Sequence, residues 1–302
     1  MNKYISVLLV LVMTYDVCAG ESSKAVNQIK NSAMNQAFSY GDSAVESWAR
    51  DKLSNLRLIE VETKSRADSK PTFRAITLFE LTGNEYNKYL SQISYSTFND
   101  RETLNVGLVY RNLNEDMTKM YGINIFYDHE FNHGHTRAGL GFEMKSSVYD
   151  ININFYEAMS NKHNVKGIPE VAASGYDAEI GVLLPYLPWA RLYYKTYQWN
   201  NITENIKHGQ TFSLYMEPTS RLSVEAGMQD DSTTNSHNAF LKLNYVVCCN
   251  EKKMGPRAFT VSKNAYTFRG INHDRVYEKV RRENNIITVS GGDGIIIQAS
   301  GF

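Results

Sequence analysis

Three runs of alternating apolar and polar residues decide the fold of this 302-residue chain: residues 104–111 (LNVGLVYR), 121–128 (YGINIFYD) and 137–144 (RAGLGFEM). Successive side chains of a β-strand point to opposite faces of the sheet. Each run therefore has one face in an apolar medium and the other in a polar medium. The polar face carries Gly, Asn and both signs of charge, which fits a wet or ion-paired lumen better than a surface built for solubility.

The same alternation occurs about twelve times between residues 56 and 246. Besides the three opening runs, the segments are residues 56–62, 73–81, 89–96, 149–155, 176–183, 191–197, 210–216, 221–228 and 238–245. Each segment is close to, or a little shorter than, the roughly 9–11 residues that a tilted strand needs to cross a bilayer. The pattern predicts an all-β protein, a transmembrane antiparallel β-barrel of about 12 strands.

The lengths of the connections support this prediction, chiefly in the second half of the chain. Outer-membrane barrels alternate long external loops with short periplasmic turns. Residues 157–174, 200–208 and 230–237 are long polar loops, whereas residues 185–188 and 217–220 are tight turns. An even number of strands that begins in the periplasm returns the chain to the periplasm after the last strand.

Composition excludes some functional classes. The formal charges cancel, with 32 basic and 32 acidic residues, which argues against nucleic acid as a partner because a basic face would be needed. Tyrosine is frequent, with 20 copies, as expected where aromatic rings lie at two membrane–water interfaces. No nucleotide motif is present, and we expect no cofactor.

The first 54 residues predict export and a helical segment. Residues 1–19 combine Lys3, an apolar core over residues 5–12 and a cleavage site after Ala19, as in a signal peptide. Cys18 lacks the preceding residues of a lipoprotein signal. Apolar residues then recur every three to four positions, which predicts periplasmic helices over residues 20–54. These helices either pack beneath the next domain or form a partner-binding arm.

Two cysteines remain after the signal peptide, the adjacent Cys248 and Cys249. Two cysteines cannot form a disulfide framework. A strained vicinal bridge and two reduced or variably oxidised thiols are the alternatives, and the sequence favours the thiols.

The alternation also assigns side chains to the two faces of the barrel. The residues expected to face lipid are Leu104, Val106, Leu108, Tyr121, Ile123, Ile125, Leu140, Phe142, Ile151 and Ile153. The charged residues expected to line the lumen are Arg111, Arg137, Glu143, Asp177, Glu179, Lys195, Glu225 and Lys242. Buried charges need partners, so these residues either pair with one another, the interpretation that we favour, or contact a segment inside the lumen.

Six segments carry a resemblance to a known family: residues 105–116, 122–128, 134–141 and 175–188 in the barrel, and residues 274–276 and 281–286 after its last strand. In sequence and joint spacing they resemble the β-domain of the inverse autotransporters, the intimin/invasin family of Gram-negative bacteria. The resemblance extends from about residue 31 to residue 289.

The resemblance implies a translocator. In this family a twelve-stranded barrel lies in the cell outer membrane with its N-terminus in the periplasm. A linker threads the pore and carries adhesin domains outside, so the function is expected to be adhesion-related. On this analogy the chain comprises a signal peptide (1–19), a periplasmic helical segment (20–54), a barrel (55–247) and a pore-threading linker with a short external stub (248–302). Residues 248 to about 280 would thread the lumen.

The resemblance also implies partners and shows departures. The partners are outer-membrane lipid, periplasmic chaperones, the barrel-assembly machinery and an unidentified host or cell-surface receptor. Relative to the family, we expect this chain to lack a peptidoglycan-binding LysM-like domain and, with the sequence running to Phe302, to carry only a stub of a passenger.

Two other functions remain as alternatives. One is a stand-alone outer-membrane barrel that binds a surface partner through its external loops, chiefly residues 157–174. The other is a zinc peptidase, because residues 129–133 match H-E-x-x-H, followed by His135. That motif binds zinc only on a helix, and here it lies between two alternating runs with hairpin turn residues. We therefore expect no bound metal and no enzyme.

Overall fold

The computed structural model describes residues 53–66, 69–200, 207–232, 236–248, 259–266, 271 and 273–290. The expected signal peptide, residues 20–52 of the expected helical segment and residues 291–302 lie outside these ranges. The chain divides into two compact units, Met1–Ser54 with Val247–Cys249, and Asn55–Val246 with Asn250–Phe302. The second unit contains the barrel. Within the part of the chain that is described, no helix is long and apolar enough to cross a membrane.

Twelve antiparallel strands close into a barrel. All strands of the described residues, the twelve of the barrel and three others, are in chain order β1 (Leu56–Arg66), β2 (Ser69–Gly83), β3 (Asn87–Phe98), β4 (Arg101–Leu113), β5 (Lys119–Glu130), β6 (Thr136–Ser146), β7 (Tyr149–Ala158), β8 (His163–Val165), β9 (Ile168–Ala172), β10 (Gly175–Leu184), β11 (Leu187–Trp199), β12 (Lys207–Met216), β13 (Leu222–Asp231), β14 (Ser236–Cys248) and β15 (Thr288–Ser290). Strands β8, β9 and β15 form a separate sheet, and β1 pairs with β14 to close the barrel. The predicted twelve-stranded antiparallel barrel is confirmed, and each predicted segment corresponds to one barrel strand.

The barrel has two rims. We call the rim where β1 begins and β14 ends the N rim, and the opposite rim, which carries the β7–β10 loop, the loop rim. Asn99 and Asp100 connect β3 to β4 at the loop rim with left-handed φ angles of 48° and 64°, the conformation of a two-residue hairpin turn. The β7–β10 loop, expected as a plain polar loop, contains the β8–β9 hairpin.

The outer surface of the barrel is apolar. The expected lipid-facing residues with more than a third of their surface exposed are Val106, Leu108, Tyr121, Ile123, Ile125, Leu140, Phe142 and Ile153. Leu104 and Ile151 are partly exposed. Strand pairing sets these side chains in rows, as where Phe142 lies opposite Ile123 and Ile153. A continuous apolar belt of this kind suits a lipid environment.

Described residues of the chain that follows β14, within the range 271–290, occupy the interior of the barrel. Residues 259–266 lie at the N rim, where the backbone of Tyr186 forms hydrogen bonds with Ser262 and Ala265. A short helix, α1 (His273–Val276), follows. The chain then crosses to the loop rim, where β15 pairs with β9. We call residues 275–290 the lumen segment.

Two apolar clusters pack against the lumen segment. Near the N rim, Ile271, Val276, Tyr277 and Val280 pack with the buried residues Leu58, Leu78, Leu90, Val109, Leu113, Met120 and Phe126. Near the loop rim, Ile287 and Val289 pack with Tyr156, Ala173, Tyr197 and Trp199. Between them the interior is polar and charged, so the segment is held by apolar contacts at both ends.

The path of this segment differs from the expectation that threading ends near residue 280. Residues 282–289 are all buried. Their cationic and amide side chains face inward-pointing acidic and amide groups of the barrel wall, which keeps them inside. Cys248 is disulfide-bonded, with a partner outside the described residues, so the expectation of free thiols is wrong for Cys248. An exported protein meets an oxidising compartment, where such bonds persist.

Candidate functional site

The candidate functional site is the interface between the lumen segment and the inner wall of the barrel. At its N-rim end, Arg111 is fully buried. Its Nη1 donates to the carbonyl oxygens of Val276 (2.5 Å) and Glu278 (2.7 Å). Glu143 neutralises the same guanidinium, with Nε–Oε1 and Nη2–Oε2 distances of 2.5 and 3.1 Å. The barrel thus presents a paired cation to the backbone of the segment.

Ion pairs also join segment side chains to the wall at this level. Arg275 donates from Nη2 to Asp150 Oδ1 (2.6 Å) and from Nη1 to the carbonyl oxygen of Ser146. Lys279 binds Glu60 and, at 2.6 Å, Glu62. Because these carboxylates are buried, each of these charges needs the partner that it has.

Arg281 forms the central ion pairs. Its Nε and Nη2 donate to the two carboxylate oxygens of Glu179 at 2.6 and 3.0 Å, the bidentate geometry that strengthens such pairs. Nη2 also donates to Glu225 (3.1 Å), and the guanidinium lies 3.9 Å from the centre of the Tyr193 ring. Lys242 completes the group at 2.8 Å from Glu225.

Asp128 is the shared carboxylate of the next layer. Arg282 donates to its two oxygens at 2.9 and 2.7 Å, and Arg137 donates to Oδ2 at 2.9 Å. Asp128 and Arg137 are fully buried, and they lie directly opposite each other on β5 and β6. A side chain at Gly139 would meet Arg282, since an added Cβ would lie 2.9 Å from Nη2. Glycine therefore provides the space for this ion pair.

Backbone groups of the segment are bound by polar side chains of the wall. Asn105 donates to the Asn284 carbonyl oxygen (2.8 Å), and Arg137 donates to that of Glu283 (2.7 Å). The backbone N–H of Glu283 donates to the Tyr156 hydroxyl (2.7 Å). A backbone without strand or helix partners needs such groups, because a buried, unpaired peptide group is costly.

At the loop rim the segment ends in a small sheet. Thr288, Val289 and Ser290 pair antiparallel with β9. Glu170 of β9 accepts two hydrogen bonds from Arg101 of β4, both 2.8 Å long, and lies 2.8 Å from His135 Nε2. Glu170 therefore ties the β8–β9 hairpin, and with it the lumen segment, to the rim.

The ionisation of Glu170 gives a testable pH dependence. Burial alone would raise the pKa of its carboxyl, but hydrogen bonds from His135 and Arg101 outweigh burial and hold the pKa at about 2. Its contribution to stability is present above the ordinary carboxyl pKa and is lost as the pH falls toward 2. We expect amide hydrogen exchange in β9 and β15, corrected for intrinsic rates, to be faster at pH 3 than at pH 5.

A matched pair of variants isolates this carboxylate. Glu170→Gln should abolish the difference between pH 5 and pH 3, whereas Glu157→Gln, at an exposed position of β7, should preserve it. The same acid sensitivity in Glu170→Gln would contradict this role.

The H-E-x-x-H motif does not form a helix. His129 and Glu130 end β5, and His133 lies in the β5–β6 turn. Among the described residues, Glu130, His135 and Glu170 bring one ligand atom each within 4.8 Å of one another. Arg101 is paired with both carboxylates, at 3.2 Å from Glu130 and 2.8 Å from Glu170. The Arg101 guanidinium supplies the positive charge that a metal ion would supply to these two carboxylates. The cluster is therefore an ion-pair network that connects β9 to the barrel rim.

The eight residues expected to line the lumen lie as follows. Arg111, Arg137, Glu143, Asp177, Glu179 and Glu225 are buried, and Lys195 and Lys242 are partly buried. The strand register places Lys195 opposite Glu179 and Lys242 opposite Glu225. Asp177 accepts hydrogen bonds from Asn154 (2.7 Å) and Tyr156 (2.6 Å). Both alternatives for these charges occur, since most pair with one another and several also bind the lumen segment.

The sequence analysis did not select several residues of the site. The missed wall residues are Glu60, Glu62, Asp128 and Asp150, and the missed segment residues are Arg275, Lys279, Arg281 and Arg282. The wall residues share the inward parity of their strands, a signal that was sufficient to find them. Of the segment residues, Arg275, Arg281 and Arg282 lie in stretches that carry the family resemblance. All four lie outside any alternating run, so hydrophobic periodicity does not mark them.

Comparison with known proteins gives a consistent set of relatives. A family profile described as "Inverse autotransporter, beta-domain" matches residues 13–284. Intimin of Escherichia coli O127:H6 is 31% identical over 116 residues, which are 37% of this chain and 12% of intimin. The inverse autotransporter adhesin YeeJ of Escherichia coli K12 is 29% identical over 168 residues, 53% of this chain and 6% of YeeJ. The chain thus spans a small part of these relatives.

A solved structure has the same fold. It comes from a study of the in-meso crystallization of membrane proteins, and it matches with a TM-score of 0.63 and 18% identity. The match covers 78% of this chain and 100% of the solved chain.

Proposed function

The chain belongs to the inverse autotransporter β-domain family, and from this premise we propose that its outer-membrane barrel exports its own C-terminal segment. In this proposal the N rim faces the periplasm and the loop rim faces the outside. Residues that follow β15 are displayed at the cell surface.

The position of the lumen segment is the observation that carries the proposal. Strand β14 ends at the N rim, and β15 lies at the loop rim on the β8–β9 hairpin. The described residues 273–290 run through the interior of a closed barrel from the N-rim side to the loop rim. This is the path that an exported segment would take.

The inner wall is suited to binding an extended peptide. It offers side-chain donors and acceptors to segment backbone groups, among them Asn105, Arg111 and Arg137 for carbonyl oxygens and Gln92 for the N–H of Val280 (2.8 Å). These contacts recognise the peptide chain itself, whatever its side chains. The ion pairs of Arg281 and Arg282 then fix the register at which the segment stops.

Adhesion is the proposed role of the displayed part. It rests on the relative named as an adhesin and on the family, whose members carry adhesin domains after the linker. The proposed partners are outer-membrane lipid around the apolar belt, periplasmic chaperones and the barrel-assembly machinery during insertion, and a host or cell-surface receptor at the displayed end.

Surface accessibility of a tag tests export and orientation together. We expect a protease-cleavable tag placed after Phe302 to be cut when protease is added to intact cells, because the segment leaves the barrel at the outer rim. Cleavage is measured by loss of the tag on immunoblots of whole cells.

Two further tags serve as matched controls. A tag in the β7–β10 loop, between Ser160 and Asn161, should be cut in intact cells, and a tag in the β4–β5 turn, between Glu115 and Asp116, should be cut only after the outer membrane is opened. Protection of the Phe302 tag while the loop tag is cut would contradict export. Exchange of the two control results would contradict the orientation.

A further inference from the structure

A cavity lies inside the barrel between the lumen segment and one side of the wall. Its volume is about 50 Å³, enough for a few waters or one small ion. Strands β1, β2 and β10–β14 form its wall, and residues 279–282 and 284 of the lumen segment form its other side. The cavity is therefore complete only when the segment is seated.

The lining carries more positive than negative charge. The basic residues are Arg74, Lys195, Lys242, Lys279, Arg281 and Arg282, and the acidic residues are Glu62, Glu179 and Glu225. All three carboxylates are already bound: Glu62 by Arg74 and Lys279, Glu179 by Arg281, and Glu225 by Arg281 and Lys242. The carboxylates are thus engaged, and the lining as a whole stays electropositive.

Groups behind the lining reduce the excess without removing it. Asp128 pairs with Arg282 and Glu60 pairs with Lys279. The lining and these two partners together hold six basic and five acidic groups. One positive charge remains, which corresponds to a single monovalent anion.

Two buried donors point to an occupant. Among the described residues that line the cavity, Arg74, Thr211 and Glu225 each have a buried side-chain atom without a hydrogen-bond partner, namely Nε, Oγ1 and Oε2. Glu225 Oε2 lies 2.8 Å from Lys242 Nζ in an ion pair, which leaves the two donors, and Arg74 and Thr211 each have 7% of their surface exposed. A buried polar atom that is left unpaired is costly, so these two donors indicate a ligand that accepts hydrogen bonds.

We propose that this cavity binds one small monovalent inorganic anion, such as a halide, between Arg74 and Thr211 of the wall and the cationic side chains of the lumen segment. The anion accepts hydrogen bonds from Arg74 Nε and Thr211 Oγ1. It balances the charge of the lining and links segment to wall. The site uses side chains of both, so it forms only in the threaded barrel.

Bromide is the probe, because it replaces chloride and scatters anomalously. We expect crystals of the full-length barrel grown in sodium bromide to show one anomalous peak in the cavity, within hydrogen-bond distance of Arg74 Nε and Thr211 Oγ1. In solution, replacing sodium gluconate by sodium bromide at constant ionic strength should raise the melting temperature in a saturable manner.

A threonine pair provides the matched variants. Thr211→Val keeps the shape of the side chain but removes the hydroxyl donor. It should abolish the anomalous peak and raise the bromide concentration at half-saturation at least tenfold. Thr103→Val, at another buried wall threonine that does not line the cavity, should change neither. Ordered waters without bromide in the cavity, or an unchanged bromide response in Thr211→Val, would overturn the proposal.

Discussion

Replacing Asp128 with alanine is expected to lower the free energy of unfolding by about 3–5 kcal/mol, the cost of leaving a buried charge without its partner. Asp128 is the carboxylate shared by Arg137 and Arg282, and among the described residues neither arginine forms an ion pair with another carboxylate. Arg137 retains the Glu283 carbonyl oxygen and lies 4.4 Å from the Tyr156 ring centre. These contacts do not replace a negative charge.

Unfolding by urea in phospholipid vesicles, followed by tryptophan fluorescence, measures this loss. The informative control is the double variant Asp128→Ala with Arg282→Met. It removes one of the two arginines that have lost their carboxylate. The methionine can also pack on the Phe126 ring, over which Arg282 lies in the wild type. It should recover part of the lost stability. A loss below about 1 kcal/mol in the single variant, typical of an exposed pair, would show that this layer is open to water.

The second large effect is expected on the opposite face of the same hairpin. Phe142→Arg should destabilise the barrel by about 2–4 kcal/mol, because the residue lies near the middle of β6 in the apolar belt and a charge at the bilayer midplane is costly. Phe142 is 44% exposed on the outside of the barrel. Urea unfolding in vesicles measures the effect, with refolded wild type as reference.

Depth in the membrane supplies the control for this variant. Phe131 is also exposed but lies in the β5–β6 turn at the loop rim, and Phe131→Arg should cost only about 0–1 kcal/mol. Equal losses at the two positions would mean that the barrel is not embedded as its apolar belt indicates.

The two variants illustrate that one strand sequence specifies both a lumen-facing and a lipid-facing set of side chains. Asp128 and Phe142 lie on adjacent strands, and their positions in the alternating runs predict opposite faces. The sequence was sufficient for this because side-chain direction in a strand depends only on position parity. Hairpin pairing then follows, since each strand is joined to its neighbour by a short connection or by the β7–β10 loop.

Partners across the lumen could not be predicted in the same way. The pairing of Arg281 with Glu179 joins positions 102 residues apart, and that of Lys279 with Glu62 joins positions 217 residues apart. Such pairs depend on the barrel diameter, on strand stagger and on the depth at which the segment stops. None of these is a local property of the chain.

The loop rim gives a further example. The β7–β10 loop looks polar and irregular in sequence, yet it contains the β8–β9 hairpin that accepts β15 as a third strand. A three-residue strand such as β15 has too little alternation to be recognised alone. It forms because β9 offers an edge for pairing at the loop rim.

By itself, the sequence determined the strand number, the direction of each side chain and the apolar exterior, because all three follow from a two-residue period. Only the tertiary structure decided which buried charges meet, how far the C-terminal segment passes through the barrel and where the cavity remains beside it. These depend on distances across a closed wall, which exist only after the last strand has paired with the first.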